Sequence, residues 1–347
     1  MYLGLVVAIV VVVFLVAAAR RRKRPEPATP PAQPIAPAPV MPEPPASLPS
    51  LSFDDDDLEQ TSFGIECTTI GAATAVEGGP AAEILFDDDA IPEEPTAPRT
   101  LILVSATGQS DRGKRRERNE DSLLVEESEG LFVVADGMGG YRGGDIASTL
   151  AVKTIHDAFS TRHFDGSPHD SIPRRASELA RAIQMANRAV FARANKDRAL
   201  DGMGTTVCAA RFSVDKQRLY VGHVGDSRLY RLRDGELRQM TSDHTMKDLG
   251  VVGSAAAHLS RAVGIWPVVP VDVILGKPRI DDVYLICSDG LSKMVADEAI
   301  ARALEAGEPA AAVEDLIRLA NDAGGNDNIT VVVVRVHMPF STGHAAA

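Results

Sequence analysis

The chain has 347 residues, 45% apolar and 24% charged, with a net charge of −12. That length is enough to bury a sizeable core, and the acidic balance excludes a nucleic-acid surface driven by bulk charge. Cys67, Cys208 and Cys287 are scattered, which excludes a disulfide framework or a cysteine metal site and fits a reducing compartment.

Leu3 to Ala19 is uncharged and made almost wholly of Leu, Val, Ile, Phe and Ala. At helical rise this run spans roughly 25 Å, the short end of a membrane crossing. Arg20-Arg21-Arg22-Lys23-Arg24 follows and no basic residue precedes it, so the positive-inside bias puts the rest of the chain in the cytoplasm. Ala17-Ala18-Ala19 resembles a cleavage site, but a signal peptide would carry its basic residues before the apolar run. Residues 1–24 are expected to form a single-pass membrane anchor whose basic cluster rests on anionic lipid headgroups.

Residues 25–99 are expected to be a disordered Pro/Ala-rich acidic linker. Residues 25–98 hold 15 of the 22 prolines and 15 acidic residues, with no Lys or Arg, and so offer little to bury. Residues 99–347 therefore carry 31 cations against 33 anions: the acidity belongs to the linker. Two similar pieces, Ser52 to Asp57 and Ile84 to Asp89, read as solvated spacer in preference to docking motifs.

Residues 100–338 read as one domain, followed by a disordered tail over 339–347. Strands are expected near 101–105, 121–126, 131–135, 204–213, 217–224, 227–233, 271–276, 283–288 and 328–336. Helices are expected at 143–159, at 174–194 from the spacing of Leu179, Ile183, Ala186 and Val190, and near 296–305 and 309–322. Helices arriving in pairs between hairpin-linked strands predict an α+β fold. Its form is a four-layer αββα sandwich of two antiparallel sheets flanked by helix pairs.

Acidic turns recur at strand ends. Leu131 to Ala135 stops on Asp136-Gly137, Val283 to Cys287 on Ser288-Asp289-Gly290, and Leu219 to Val224 on Gly225-Asp226-Ser227. Gly324-Gly325-Asn326-Asp327-Asn328 opens onto Ile329. Carboxylates gathered at one end of a sheet repel one another unless cations neutralise them. Oxygen donors without a His/Cys cluster select hard ions such as Mg²⁺ or Mn²⁺ over Zn²⁺.

Six motifs occur in one order: Arg116-Glu117-Arg118-Asn119-Glu120-Asp121, Asp136-Gly137-Met138-Gly139-Gly140, Gly204-Thr205-Thr206, Gly225-Asp226-Ser227-Arg228, Ser288-Asp289-Gly290-Leu291 and Asp327-Asn328-Ile329-Thr330. Over residues 102–337 the chain resembles the metal-dependent serine/threonine protein phosphatases of the 2C type, in their bacterial form. The resemblance implies that Asp136, Asp289 and Asp327 are direct ligands of two Mn²⁺ or Mg²⁺ ions, with Asp136 bridging them. It implies that the Gly137 carbonyl coordinates one ion and that Glu120 and Asp121 act through water. Asp226 resembles the ligand of a third, weaker metal, and Arg116 the arginine that holds the substrate phosphate.

The function so implied is hydrolysis of phosphoserine and phosphothreonine on cytoplasmic proteins. The expected partners are a serine/threonine kinase or its substrates, and membrane lipid through residues 1–24. The alternative is a catalytically silent phosphoprotein-binding module, which would be expected to have lost metal ligands. Gly204-Thr205-Thr206 reads as structural, and Arg228 as the partner of a carboxylate. No histidine is assigned as general acid, since Met138 stands where eukaryotic members have histidine. The bacterial pattern has histidine where this chain has Tyr141, and the flap between Thr245 and His258 is short.

Overall fold

Apolar runs that lack alternation become strands covered on both faces, and the fold is built from them. The computed structural model describes residues 82–86, 102–139, 143–169, 172–247 and 250–338, all within the compact unit Phe63–Ala347. One sheet runs β1 (Ala82–Phe86), β10 (Val271–Gly276), β7 (Leu219–Val224), β6 (Val207–Phe212), β4 (Leu131–Met138) and β3 (Asp121–Glu126). The two-residue β5 (Gly204–Thr205) pairs with β4. The other sheet runs β2 (Leu103–Asp111), β12 (Ile329–His337), β11 (Val283–Cys287), β8 (Arg228–Arg233) and β9 (Glu236–Gln239).

The helices are α1 (Gly143–Ser160), α2 (Arg174–Lys196), the single turn α3 (Asp289–Ser292), α4 (Asp297–Glu305) and α5 (Pro309–Asp322). Three apolar cores separate the layers. Leu131, Val133 and Ala135 of β4 meet Leu179, Ile183, Ala186 and Val190 of α2 under the first helix pair. Phe132 and Val134, the alternate residues of β4, meet Ile286, Val332 and Val334 between the sheets. Leu285, Val331 and Val333 meet Leu304, Leu316 and Ile317 under the second helix pair. The expected four layers are present. Gly222 on β7 makes room for α2, because a Cβ there would lie 2.4 Å from Ile183 Cδ1.

Three expectations are corrected. The linker does not run unbroken over 25–99, because Ala82–Phe86 forms β1. That piece also makes its sheet not wholly antiparallel, since β1 runs parallel to β10 with Phe86 opposite Leu275. Ala-Glu-Ile-Leu-Phe carries enough strand-forming residues to add to a sheet, which the acidic and proline-rich surroundings disguised. The first strand of the second sheet begins at Leu103 and extends to Asp111, pairing along β12. Among the described residues no helix is long and apolar enough to cross a membrane; Leu3 to Ala19, the rest of residues 1–81 and Tyr141 lie outside them.

Candidate metal centre

The turn residues foreseen from the sequence converge between the two sheets. Asp136 lies two residues before the end of β4, directly opposite Asp121, the first residue of β3. Asp289 opens α3 just after β11, and Asp327 precedes β12. The Asp136 backbone is clamped by the Gly204-Thr205-Thr206 segment, as a structural reading of that segment requires. Its N–H donates to Thr206 Oγ1 at 2.9 Å, and its carbonyl accepts from Thr206 N and Thr205 Oγ1, each at 2.8 Å. Thr206 Oγ1 and Ser227 Oγ lie 2.6 Å apart, which ties this clamp to the turn bearing Asp226.

Close backbone approach depends on glycine here. A Cβ on Gly137 would stand 2.1 Å from the Gly144 carbonyl oxygen and 2.5 Å from that of Glu120. Gly225 has φ +110°, a left-handed conformation, with Thr206 packed against it.

The electrostatics agree with the geometry. Burial, then the charges of Asp121, Asp289, Asp226 and Asp327, push the Asp136 carboxyl well above the usual range. Burial pushes Asp121 up to about 6 against hydrogen bonds from Thr330 and Ser288, which donate to Oδ2 at 2.6 and 2.8 Å. Burial also raises Glu120, opposed by Arg116 and helped by Asp145 and Asp327. Asp226 is raised by burial and by Asp289, with Lys293 opposing. Oδ1 of Asp121 and Oδ1 of Asp289 are buried with no hydrogen-bond partner. Orphaned carboxylate oxygens in an all-oxygen cluster fit hard divalent cations.

Arg116 reaches the cluster from its rim. Half exposed, it donates from Nη2 to Asp327 Oδ2 at 2.6 Å, and that bond raises its own pKa. Arg228 pairs bidentately with Asp243 at 2.7–3.2 Å, as expected of a structural arginine.

Three residues carry roles that the sequence reading did not assign. Lys293, four residues after Asp289, bonds Asp289 Oδ2 and lies 3.4 Å from Asp226 Oδ2. Its i,i+4 offset on a helical turn was the available signal. Asn328 accepts from Glu120 N at 2.8 Å and donates to the carbonyls of Arg112 and Arg118 at 3.0 and 2.8 Å. One side chain thus fixes the loop bearing Arg116 and Glu120. Asp145, in the first turn of α1, adds its charge at Glu120.

Behind the Gly225-Asp226 turn sits a buried His223, His244 and Asp272 cluster. His244 Nδ1 accepts from Gly225 N at 3.0 Å, and its Nε2 lies 2.9 Å from Asp272 Oδ2. Arg261 holds the other Asp272 oxygen at 2.5 Å. With His244 and Asp272 so engaged, the cluster supports the turn.

The protein phosphatase 2C sequence profile matches residues 108–329. Over 250 residues, 69% of this chain, the sequence is 38% identical to the serine/threonine protein phosphatase PstP of Mycobacterium tuberculosis; the chain spans 46%, about half, of that relative's length. It is 34% identical over 241 residues to the serine/threonine phosphatase stp of Listeria monocytogenes, covering 65% of this chain and 93% of that one. A crystal structure of the PstP catalytic domain in complex with two manganese ions superposes with TM-score 0.59 at 37% identity, covering 68% of this chain and 99% of that one. PppA, from Pseudomonas aeruginosa, superposes with TM-score 0.60 at 32% identity, covering 69% and 100%.

Proposed function

This chain belongs to the protein phosphatase 2C family, and from that membership we propose that it hydrolyses phosphoserine and phosphothreonine on proteins. The observation that carries the reading is the convergence of Asp121, Asp136, Asp226, Asp289 and Asp327 on one another with Arg116 at the rim. Asp136, Asp289 and Asp327 would hold two Mn²⁺ or Mg²⁺ ions, helped by Glu120, Asp121 and the Gly137 carbonyl. Asp226 would serve a third. Bound divalent ions supply charge neutralisation and lower the pKa of water for an in-line displacement.

The chain's own residues do the rest. Arg116 presents a fork that matches two phosphate oxygens and, through Asp327, is held over the cluster. Thr205 and Thr206 fix the Asp136 backbone, and Asn328 fixes the Arg116–Glu120 loop, so both sides of the site are set before substrate arrives. The silent-module reading is disfavoured because every expected carboxylate is present and converges.

The full chain is expected to hydrolyse p-nitrophenyl phosphate and a phosphothreonine peptide with Mn²⁺. Chelator, Asp136→Asn or Asp289→Asn should each abolish turnover; turnover that survives either substitution would sink the assignment.

Residues 1–24 we read as the membrane anchor, which would bring the domain to membrane-associated phosphoproteins and to a serine/threonine kinase or its substrates in the cytoplasm. The uncharged run followed by five consecutive cations supports this. Full chain recovered in the carbonate-washed membrane pellet, and lost from it on deletion of residues 1–24, is the expected result; equal solubility of the two would overturn it.

A further inference from the structure

Far from the metal centre, the same sheet carries a second charged cavity of about 700 Å³. Arg211 on β6 lines it and pairs with Leu131 at the start of β4, whereas Asp136 stands near that strand's end. Five residues of strand separate the two by roughly 17 Å. Arg162, beyond α1, and Arg174, Arg175 and Arg181 of α2 complete the basic lining. The guanidinium of Arg211 lies 4.2 Å from the Phe159 ring centre, and that of Arg181 lies 5.5 Å from that of Phe164.

Five guanidiniums meet two carboxylates in this lining. Glu178 takes Arg174 at 2.9 Å and Arg211 at 3.4 Å, and Glu129 lies 3.6 Å from Arg211. Arg162 has no carboxylate partner among the described residues. Nε of Arg181 and Nε of Arg211 are buried without an acceptor, and Arg181 is 8% exposed. The cavity is therefore built for anionic oxygen.

The chain itself supplies a candidate occupant at this end of the molecule. Phe86 ends β1 opposite Leu275, Leu275 lies opposite Tyr220, and Tyr220 opposite Arg211. The exit from β1 is thus three strand spacings from Arg211, about 14 Å. Downstream, the N–H of Ile102 bonds the carbonyl of Asp215 at 3.4 Å, beside Val214, which also lines the cavity. Both described ends of the segment 87–101 therefore lie at the cavity's end of the fold. That segment carries Asp87, Asp88, Asp89, Glu93 and Glu94 against the single cation Arg99. One to eight extended residues reach roughly 3 to 27 Å, which brackets the distance.

We propose that this arginine cavity is the docking site of the chain's own acidic segment Asp87–Glu94. Its carboxylates take the charge of Arg162 and Arg181, which meet no carboxylate among the described residues. Docking there holds the exit of the N-terminal region on the face away from the metal centre, by contacts that salt weakens.

Lys216 provides a native reporter, because it stands beside Arg211, Glu129 and Arg175. Zero-length carbodiimide coupling of the full chain at low salt is expected to join Lys216 to a carboxylate within Asp87–Glu94 of the same molecule. The Lys216–Glu129 link serves as the internal control for folding. Arg162→Glu with Arg174→Glu, both exposed positions, should cut the yield of the long-range link about tenfold, as should 1 M salt on the unaltered chain. The control link and aryl phosphate turnover should persist in the variant. A control link without the long-range one would overturn the proposal. So would a long-range link indifferent to both arginine reversal and salt, or one formed only between two molecules.

Discussion

Asn328→Ala tests whether the loop that carries Arg116 and Glu120 is held by a single amide. Asn328 is 5% exposed, and its side chain satisfies three backbone groups, Glu120 N, Arg112 O and Arg118 O, at 2.8–3.0 Å. At about 1 kcal/mol net for each bond, truncation should cost about 3 kcal/mol, more if the freed groups stay dry. Urea unfolding of the full chain followed by far-ultraviolet circular dichroism measures this. Loosening the loop also misplaces Arg116, so KM for aryl phosphate should rise at saturating Mn²⁺. Asn328→Asp keeps the acceptor for Glu120 but turns a carboxylate oxygen toward two carbonyls, so it should do no better. A stability loss under about 1 kcal/mol together with an unchanged KM would refute the reasoning.

Lys293→Met removes the cation that, among the described residues, bonds both Asp289 and Asp226; metal-free thermal stability should fall while the added stabilisation by Mn²⁺ grows, read by calorimetry with and without chelator. Gly137→Ala puts a methyl 2.1 Å from the Gly144 carbonyl oxygen, so the β4–α1 junction must shift; turnover should be lost and the melting temperature lowered, whereas near-wild-type turnover would show that the contact yields. Burial, helped by His244, pulls His223 down to about 3 from 6.5. Below pH 6.5 the unfolded chain then binds a proton that the folded chain refuses, and stability falls as pH drops toward 3. At pH 5 this loss is about 2 kcal/mol, and His223→Leu should remove it from a urea series run at pH 7 and pH 5.

The strands and the acidic turns were legible because they rest on strong local signals. Leu131–Ala135, Val283–Cys287 and Ile329–Val334 are covered on both faces, so they read as unbroken apolar runs, and each has an aspartate within two residues of one end. The helix at Arg174–Lys196 followed from four apolar positions that do face the sheet. β1 was hidden because its partner, β10, lies far along the chain, and no local pattern announces a parallel pairing. The role of Lys293 needed the phase of a helix only one turn long. That of Asn328 needed the path of a loop two hundred residues away in sequence, and contacts of that kind leave no periodic trace.

The parallel strand β1 also moves the open edge of its sheet from Val271–Gly276 to a short strand that three aspartates follow at once. On one side β10 pairs with β7, and its other side is covered by Ala82–Phe86. Without that cover, Val-Asp-Val-Ile-Leu-Gly would offer an open row of amide donors and carbonyl acceptors, the template on which sheets add foreign strands. A catalytic fragment cut at residue 99 keeps the whole metal centre but loses this guard. It should pair edge to edge or aggregate at concentrations where the full chain does not. The region before the domain thus has a share in its solubility.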